Sequence, residues 1–233
     1  QRFTCLRNAD IHSAYFKDGI LYYGQGDKLL ATSGDMYKYK VLCRFGGTYI
    51  RSMMIDSRNR LWIGTTNGLY LKPRASAIRL MLSGTNVSHI FEDSNHDIWV
   101  STRSDGCWLF RTIGNGQPKS LKIKLDPLEG QYQVRSVTED NRGIMLIGTS
   151  IGLYEYNKKT ASFIHYIHSS NSCSLSFNSI YPVYKGSDGT IWVGTYYGGL
   201  NYLNPSGDSF TFYPADQSRS DCLSYPFVGH MAE

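Results

Sequence analysis

Four times the chain writes a short strand ending in Gly-Thr or Ser-Thr and follows it, after a brief loop, with a second glycine and an aromatic residue. The copies are Leu61-Trp62-Ile63-Gly64-Thr65, Ile98-Trp99-Val100-Ser101-Thr102, Met145-Leu146-Ile147-Gly148-Thr149 and Ile191-Trp192-Val193-Gly194-Thr195. With Trp62, Trp99, Leu146 and Trp192 as markers, the spacings are 37, 47 and 46 residues, and a degenerate copy around Tyr22 lies 40 residues upstream. Repeats of roughly 40 to 50 residues made of short strands have the period of propeller blades; helical repeats of that length would space apolar residues at 3.6, which this chain does not do.

Each marker is preceded by a polar hairpin at a fixed offset. Asp56, Asp93, Asp140 and Gly186 lie six residues before it, and Asn59, His96, Gly143 and Gly189 three before it. Gly, Asn and His tolerate positive φ, so the offset predicts a three-residue hairpin loop closed by a left-handed residue. Because Asp56, Asp93 and Asp140 recur with the fold, they read as carboxylates that bond the hairpin backbone. After the marker come Gly68-Leu69-Tyr70, Gly106-Cys107-Trp108, Gly152-Leu153-Tyr154 and Gly199-Leu200-Asn201-Tyr202, each opening the next strand.

The composite pattern, an acidic residue, a turn, Ile-Trp-Val-Gly-Thr and then Gly-Leu-x-Tyr, resembles the two-component regulator propeller repeat. The copy within 171–213 matches it best, through Ser187-Asp188-Gly189-Thr190-Ile191-Trp192-Val193-Gly194-Thr195 and Gly198-Gly199-Leu200-Asn201. Residues 48–233 carry the resemblance well and the first 47 only weakly; Leu146 in place of Trp and Ser101 in place of Gly are departures. The resemblance implies the periplasmic sensor part of an inner-membrane hybrid two-component system, with histidine kinase and DNA-binding output outside this chain. It further implies an oligosaccharide ligand, control of polysaccharide-utilisation genes and a homodimer in the intact receptor.

The expected fold is therefore all-β, a β-propeller of four-stranded antiparallel blades, five of them present and part of a larger ring of about seven. The blades are placed at 10–45, 49–82, 87–125, 132–168 and 179–213 in a single propeller region, 1–233. Strands at 3–6 and 227–233 are assigned to incomplete neighbouring blades. In the third blade the strands are read at Val87–Glu92, Asp97–Ser101, Cys107–Arg111 and Leu121–Leu125; in the fourth at Val134–Glu139, Ile144–Gly148, Gly152–Asn157 and Ser162–His168. The first blade's hairpin is two residues shorter, since Asp18 precedes Tyr22 by only four.

Composition agrees with an all-β chain: 23 Gly and 18 Tyr in 233 residues, with many Val, Ile and Thr runs. No stretch approaches the roughly 20 apolar residues of a membrane-spanning helix, so any membrane contact belongs to flanking sequence, and Gln1 reads as the start of a mature or excised soluble piece. The net charge of +5 invites a nucleic-acid partner. Lys and Arg are dispersed, however, and Lys119 to Lys124 alternates Lys with apolar residues as an outer strand with one solvated face does, so no nucleic acid is expected. Cys5, Cys43, Cys107, Cys173 and Cys222 have no metal-ligand spacing, and Cys173 and Cys222 sit a repeat apart; free, partly buried thiols are expected.

Recurrence separates core from site. Trp62, Trp99 and Trp192 occupy one repeat position and are assigned to the space between sheets. Thr65, Thr102, Thr149 and Thr195 are assigned to backbone bonds where the second strand ends. Residues that differ between copies in the loops joining second to third strands are the recognition candidates. Arg103 and Asp105 have the donors and acceptors for sugar hydroxyls or a carboxylate, and Tyr196 and Tyr197 have faces on which a pyranose ring can stack. These loops share a face with the blade connections near 127–132, 169–178 and 214–226. The competing account makes them solvated loop residues or contacts to another domain.

Catalysis is not expected, and neither is a cofactor or a metal. His165 and His168 are three apart on an expected strand and would face opposite ways. No nucleophile elbow or phosphate-cradling loop is present in the sequence. A protein-interaction propeller is the alternative function; a polysaccharide lyase or glycosidase is the more distant one, since some propellers have such activities.

Overall fold

The computed structural model describes residues 11–33, 38–114, 116–125, 132–219 and 222–233. Among them are twenty strands and no helix, arranged as five four-stranded antiparallel sheets. The first joins β1 (Ile11–Lys17), β2 (Ile20–Gln25), β3 (Lys28–Thr32) and β4 (Lys40–Arg44), and the second β5 (Ile50–Ile55), β6 (Leu61–Thr65), β7 (Gly68–Lys72) and β8 (Arg79–Ser83). The third contains β9 (Val87–Glu92), β10 (Ile98–Thr102), β11 (Cys107–Arg111) and β12 (Lys119–Ile123), and the fourth β13 (Val134–Glu139), β14 (Ile144–Thr149), β15 (Gly152–Asn157) and β16 (Ser162–Tyr166). The fifth is β17 (Ile180–Lys185), β18 (Ile191–Thr195), β19 (Leu200–Leu203) and β20 (Phe210–Tyr213). Strands pair in chain order in every sheet, so each is a four-stranded meander, the blade of a β-propeller. The chain divides into two compact units, Gln1–Ile90 and Phe91–Glu233, with the boundary falling inside β9.

The core of each unit lies between successive sheets. In the first unit Leu29, Phe45, Ile50, Met53, Leu61 and Ile63 form one buried cluster. In the second, Trp99, Leu109, Val134, Val137, Met145 and Ile147 join blades three and four, while Leu146, Leu153, Ile180, Val183 and Val193 join four and five. This face-to-face burial explains why a second strand reads as a near-continuous apolar run: β14 sends Met145 and Ile147 into one cluster and Leu146 into the other.

The fixed glycine of the repeat is demanded by space. A Cβ on Gly64 would stand 2.4 Å from Val87 Cγ1, and one on Gly148 2.8 Å from Ile180 Cγ2. The start of the next inner strand rests directly on the backbone there. Hydroxyls add to the same junction: Ser136 Oγ donates to Tyr181 O (2.7 Å) and accepts from Val183 N (3.0 Å).

The hairpin reading is met in atomic detail. Asn59, His96, Gly143 and Gly189 have φ of 57°, 61°, 79° and 87°. Asp56 Oδ1 accepts from the amides of Arg58 and Arg60, Asp93 Oδ1 from Asn95 and Asp97, and Asp140 Oδ1 from Arg142 and Ile144. The second oxygen reaches the marker indole where there is one: Trp62 Nε1 to Asp56 at 2.8 Å and Trp99 Nε1 to Asp93 at 2.9 Å. Opposite Leu146 that oxygen of Asp140 instead accepts from Arg142 Nε. The short first hairpin is closed by Asp18 and Gly19 at φ 51° and 77°, the two left-handed residues of a type I′ turn. Thr65, Thr102, Thr149 and Thr195 donate to the carbonyls of Gly68, Gly106, Gly152 and Gly199, closing the loop after the second strand.

Several expectations need correction. Trp62 and Trp99 are fully buried, but Trp192 is only half-buried, against Tyr202 and Tyr213. Without an aspartate at Gly186, its indole has no carboxylate anchor among the described hydrogen bonds, and Asp188 bonds Thr190 instead. The third blade's outer strand lies at 119–123 instead of 121–125, because Trp108 pairs with Lys122 and both donate to Asp105. β16 ends at Tyr166, so His168 lies in the following loop. Residues 227–233 are not a strand, since no ladder forms beside them among the described residues. They nonetheless follow the path of an inner strand: Val228 Cγ1 approaches Gly194 as Ile180 approaches Gly148. Glu233 likewise takes Ser187 N and Oγ (2.7 and 2.6 Å) as Glu139 takes Ser94 N and Oγ (2.6 and 2.8 Å). The strand expected at 3–6 lies outside the described residues.

Candidate functional site

The loops that follow the second strands carry the residues that the repeat leaves free to vary. In the second unit the loop after β18 presents Tyr196 and Tyr197, 39% and 56% exposed. Their rings are 4.3 Å apart and inclined by 69°. Tyr196 lies nearly parallel to Tyr181 of β17 at 5.7 Å, and Phe227 meets both edge-on at 5.5 and 4.9 Å. Phe177 supports Tyr197 from the other side at 6.0 Å. Large aromatic surface is held in water here because each ring is braced by its neighbours, leaving few rotamers to lose when something docks.

Arg135 closes one end of this platform. Its guanidinium carbon lies 4.2 Å from the centre of the Tyr181 ring, within cation–π range. Nη1 donates to Ser179 Oγ (2.8 Å) and Ile180 O (3.0 Å), and Nη2 reaches Gln133 Oε1 (3.4 Å). Burial lowers the Arg135 pKa, the ring of Tyr181 opposes that, and the charge of Arg103 adds to the lowering.

At the other end Tyr197 lines a pocket of about 550 Å³ with His168, Asn171, Ser174, Ser176 and Phe212. Among the described residues its wall carries no Asp, Glu, Lys or Arg. His168 Nδ1 donates to Leu175 O (2.7 Å) and Asn201 Nδ2 to Ser176 Oγ (2.8 Å), so the loop 169–178 is pinned by His168 beside it and by Asn201 of β19. Hydroxyl and amide groups beside two aromatic rings suit a polyhydroxylated, uncharged group.

The four residues selected from the sequence have different surroundings. Tyr196 and Tyr197 form the exposed platform. Arg103 is exposed on the loop after β10, within electrostatic reach of Arg135. Asp105 is spent inside its own blade, one oxygen on Trp108 Nε1 (2.9 Å) and the other on Lys122 Nζ (2.7 Å). Sequence reasoning missed Arg135, Tyr181 and Phe227. A signal was available for two of them: the residue after the first apolar position of each inner strand reads Arg51, Ser88, Arg135 and Tyr181, a column that varies where its neighbours repeat.

No group of three or more His, Cys, Asp or Glu among the described residues could hold a metal ion. His165, stacked on Tyr154 at 4.0 Å and bonded to Ile151 O (3.0 Å), is a packing residue. Cys43, Cys107 and Cys173 are free thiols; burial pushes Cys107 up to about 12 and Cys43 to about 11, while Cys173 is exposed. Cys5 lies outside the described residues.

Comparison with known proteins agrees with the repeat. The two component regulator propeller family model matches residues 44–67, 81–104 and 174–197, each an inner strand, its three-residue hairpin and the second strand. Three segments of the chain are thus similar to the two-component regulator propeller repeat. Histidine kinase P4 of Formosa agariphila is 26% identical over an alignment covering 74% of this chain and 17% of that protein. Among solved structures, the extracellular domain of a proposed one component system from B. thetaiotaomicron is 23% identical with a TM-score of 0.50, covering 91% of this chain and 34% of that one. Virginiamycin B lyase from Staphylococcus aureus is similar in fold, with a TM-score of 0.66 at 14% identity over 90% of this chain and 71% of the lyase. The chain therefore spans a small part of the signalling proteins it resembles.

Proposed function

We propose that this chain is the non-catalytic, ligand-sensing propeller segment of a two-component signalling receptor, lying outside the cytoplasm in the periplasm. Its ligand is an oligosaccharide, and the regulated genes are those for polysaccharide use. Support comes from the family repeats, from the signalling proteins with which the chain aligns, and above all from one observation: an exposed, braced pair of tyrosines beside a pocket of hydroxyl and amide groups. Sugars bind such surfaces by laying their C–H faces on the rings and their hydroxyls on the polar groups. Occupation would bias the arrangement of two receptor copies, with output from domains elsewhere in the intact protein.

Calorimetry of the intact receptor against a panel of plant and algal oligosaccharides tests this reading. At least one sugar is expected to bind, and Tyr197→Ala to weaken it at least tenfold, about 1.4 kcal/mol, with the thermal midpoint unchanged. A panel without any binder would sink the sensing role and favour a propeller that docks proteins on the same aromatic face. The likeness to virginiamycin B lyase supplies a second reading, cleavage, which accumulating product in the same titrations would reveal.

A further inference from the structure

The two ends of the platform differ in charge. At the pocket end the described lining holds no acidic or basic side chain other than His168. At the other end stands the half-buried guanidinium of Arg135, with the charge of Arg103 within electrostatic reach. Arg135 is fixed by Ser179, Ile180 and Gln133 with its Nε and part of Nη2 unspent, and Arg103 stands exposed on the neighbouring loop. Neither is in an ion pair among the described residues. Four other cations of the second unit are matched: Arg111 with Asp97, Lys122 with Asp105, Arg142 with Asp140 and Lys158 with Asp93. A guanidinium half-buried without an ionic partner loses hydration at a cost, and an anion beside Arg135 offsets that cost while also answering the charge of Arg103.

We propose that the occupant of the platform is an acidic oligosaccharide, whose carboxylate or sulfate group lies beside Arg135, with the exposed Arg103 adding its charge from the loop after β10, while the following sugar units run over Tyr196 and Tyr197 into the uncharged pocket. The inference rests on the sugar-sensing reading and assigns it a charge and a direction. Distances set the length: Arg135 is 4.2 Å from Tyr181, which is 5.7 Å from Tyr196, which is 4.3 Å from Tyr197 at the pocket wall. One ring is too short to touch both ends. A chain of two or three units has the reach to run from Arg135 over the exposed rings of Tyr196 and Tyr197 to the serines of the pocket.

Calorimetry on the intact receptor compares matched probes: oligogalacturonate and oligomannuronate against their carboxyl-reduced forms, and chondroitin sulfate oligosaccharides against desulfated ones. An acidic probe is expected to bind about tenfold more tightly than its neutral partner, with the preference shrinking as salt is raised. Arg103→Gln, at an exposed position where the fold has no stake, is expected to cost the acidic probe about fivefold and its neutral partner nothing. Equal binding of charged and neutral partners, or binding of neutral sugars alone, would overturn the charge assignment while leaving sugar sensing intact. Failure of every probe would remove both. Which pair responds separates carboxylate from sulfate recognition.

Discussion

Blades three and five are built on nearly the same words, Ile98-Trp99-Val100-Ser101-Thr102 and Ile191-Trp192-Val193-Gly194-Thr195, yet they commit the shared tryptophan differently. Trp99 is fully buried, donates to Asp93, and packs edge-on against Tyr156 of the next blade at 5.9 Å. Asp93 in turn takes Lys158 from that blade. Trp192 is half-buried, and its blade carries the exposed Tyr196 and Tyr197. A repeat can thus spend one blade on cohesion and another on recognition without changing the strand itself; what changes is the residue six positions before the tryptophan and the loop after the threonine.

The largest test of that difference is truncation of the two indoles. Trp99→Ala should cost about 4 kcal/mol in chemical denaturation, the size expected when a buried aromatic leaves a cavity, and it also strips Asp93 of a donor. Trp192→Ala should cost less than half as much. Equal losses would mean that the half-exposed indole is as deeply integrated as the buried one, and the contrast between blades would fall.

A second test uses the paired Ser–Glu junctions. Glu139 and Glu233 hold Ser94 and Ser187 in the same geometry. The first is buried beside Lys158, whose side chain is 13% exposed and which also binds Asp93. Lys158→Met should cost about 3 kcal/mol, because it leaves two buried carboxylates without their shared cation. Burial opposes the charge of Lys158, but hydrogen bonds and attraction from Glu139 and Asp93 outweigh it and raise the pKa. Its contribution is therefore complete below the ordinary lysine pKa and fades only at higher pH, as the ammonium titrates in the folded state. Glu233→Gln, at an exposed site, should leave the denaturation midpoint where it is.

What was legible in the sequence was what each repeat settles locally. The aspartates, the left-handed hairpin residues and the closing threonines all act within a few residues, so their spacing was enough to assign their bonds. The partial exposure of Trp192 was half-legible: Gly186 in place of aspartate was visible, its effect on the indole was not. The platform was the least legible. Tyr196 and Tyr197 stood out as aromatic loop residues, but Arg135, Tyr181 and Phe227 join them only through the packing of inner strands about 45 residues apart, a distance at which spacing says nothing about which side chain meets which. Asp105 looked available for the same reason, since its capture by Lys122 depends on the β11–β12 register.

A third, smaller effect concerns the glycine at the end of the second strand. A methyl on Gly148 would meet Ser136 Oγ, Ile180 Cγ2 and Val183 Cγ2 at 2.7, 2.8 and 2.9 Å, all in or beside ladders that resist movement. Gly148→Ala should cost about 2 kcal/mol, the usual cost of overpacking. At Gly194 the obstacles are Pro182 and Val228, both at 2.8 Å. Because Val228 lies in a segment without a ladder, Gly194→Ala should cost less than half of that. A larger loss at Gly194 would show the 227–233 segment to be as firmly seated as a true inner strand.

The smallest effect has the opposite sign. At the position of these glycines blade three has Ser101, fully buried, with its hydroxyl lacking a hydrogen-bond partner among the described residues. A buried hydroxyl that has given up water and gained nothing is a standing cost, so Ser101→Ala should raise stability by about 1 kcal/mol while keeping the Cβ that the junction already accommodates. Gly194, where a Cβ is not accommodated, offers no such gain, so the two blades should respond to alanine with opposite signs. If Ser101→Ala instead lowers the denaturation midpoint, the hydroxyl is satisfied by a buried water, and blade three tolerates serine because its junction is wet where those of blades four and five are dry.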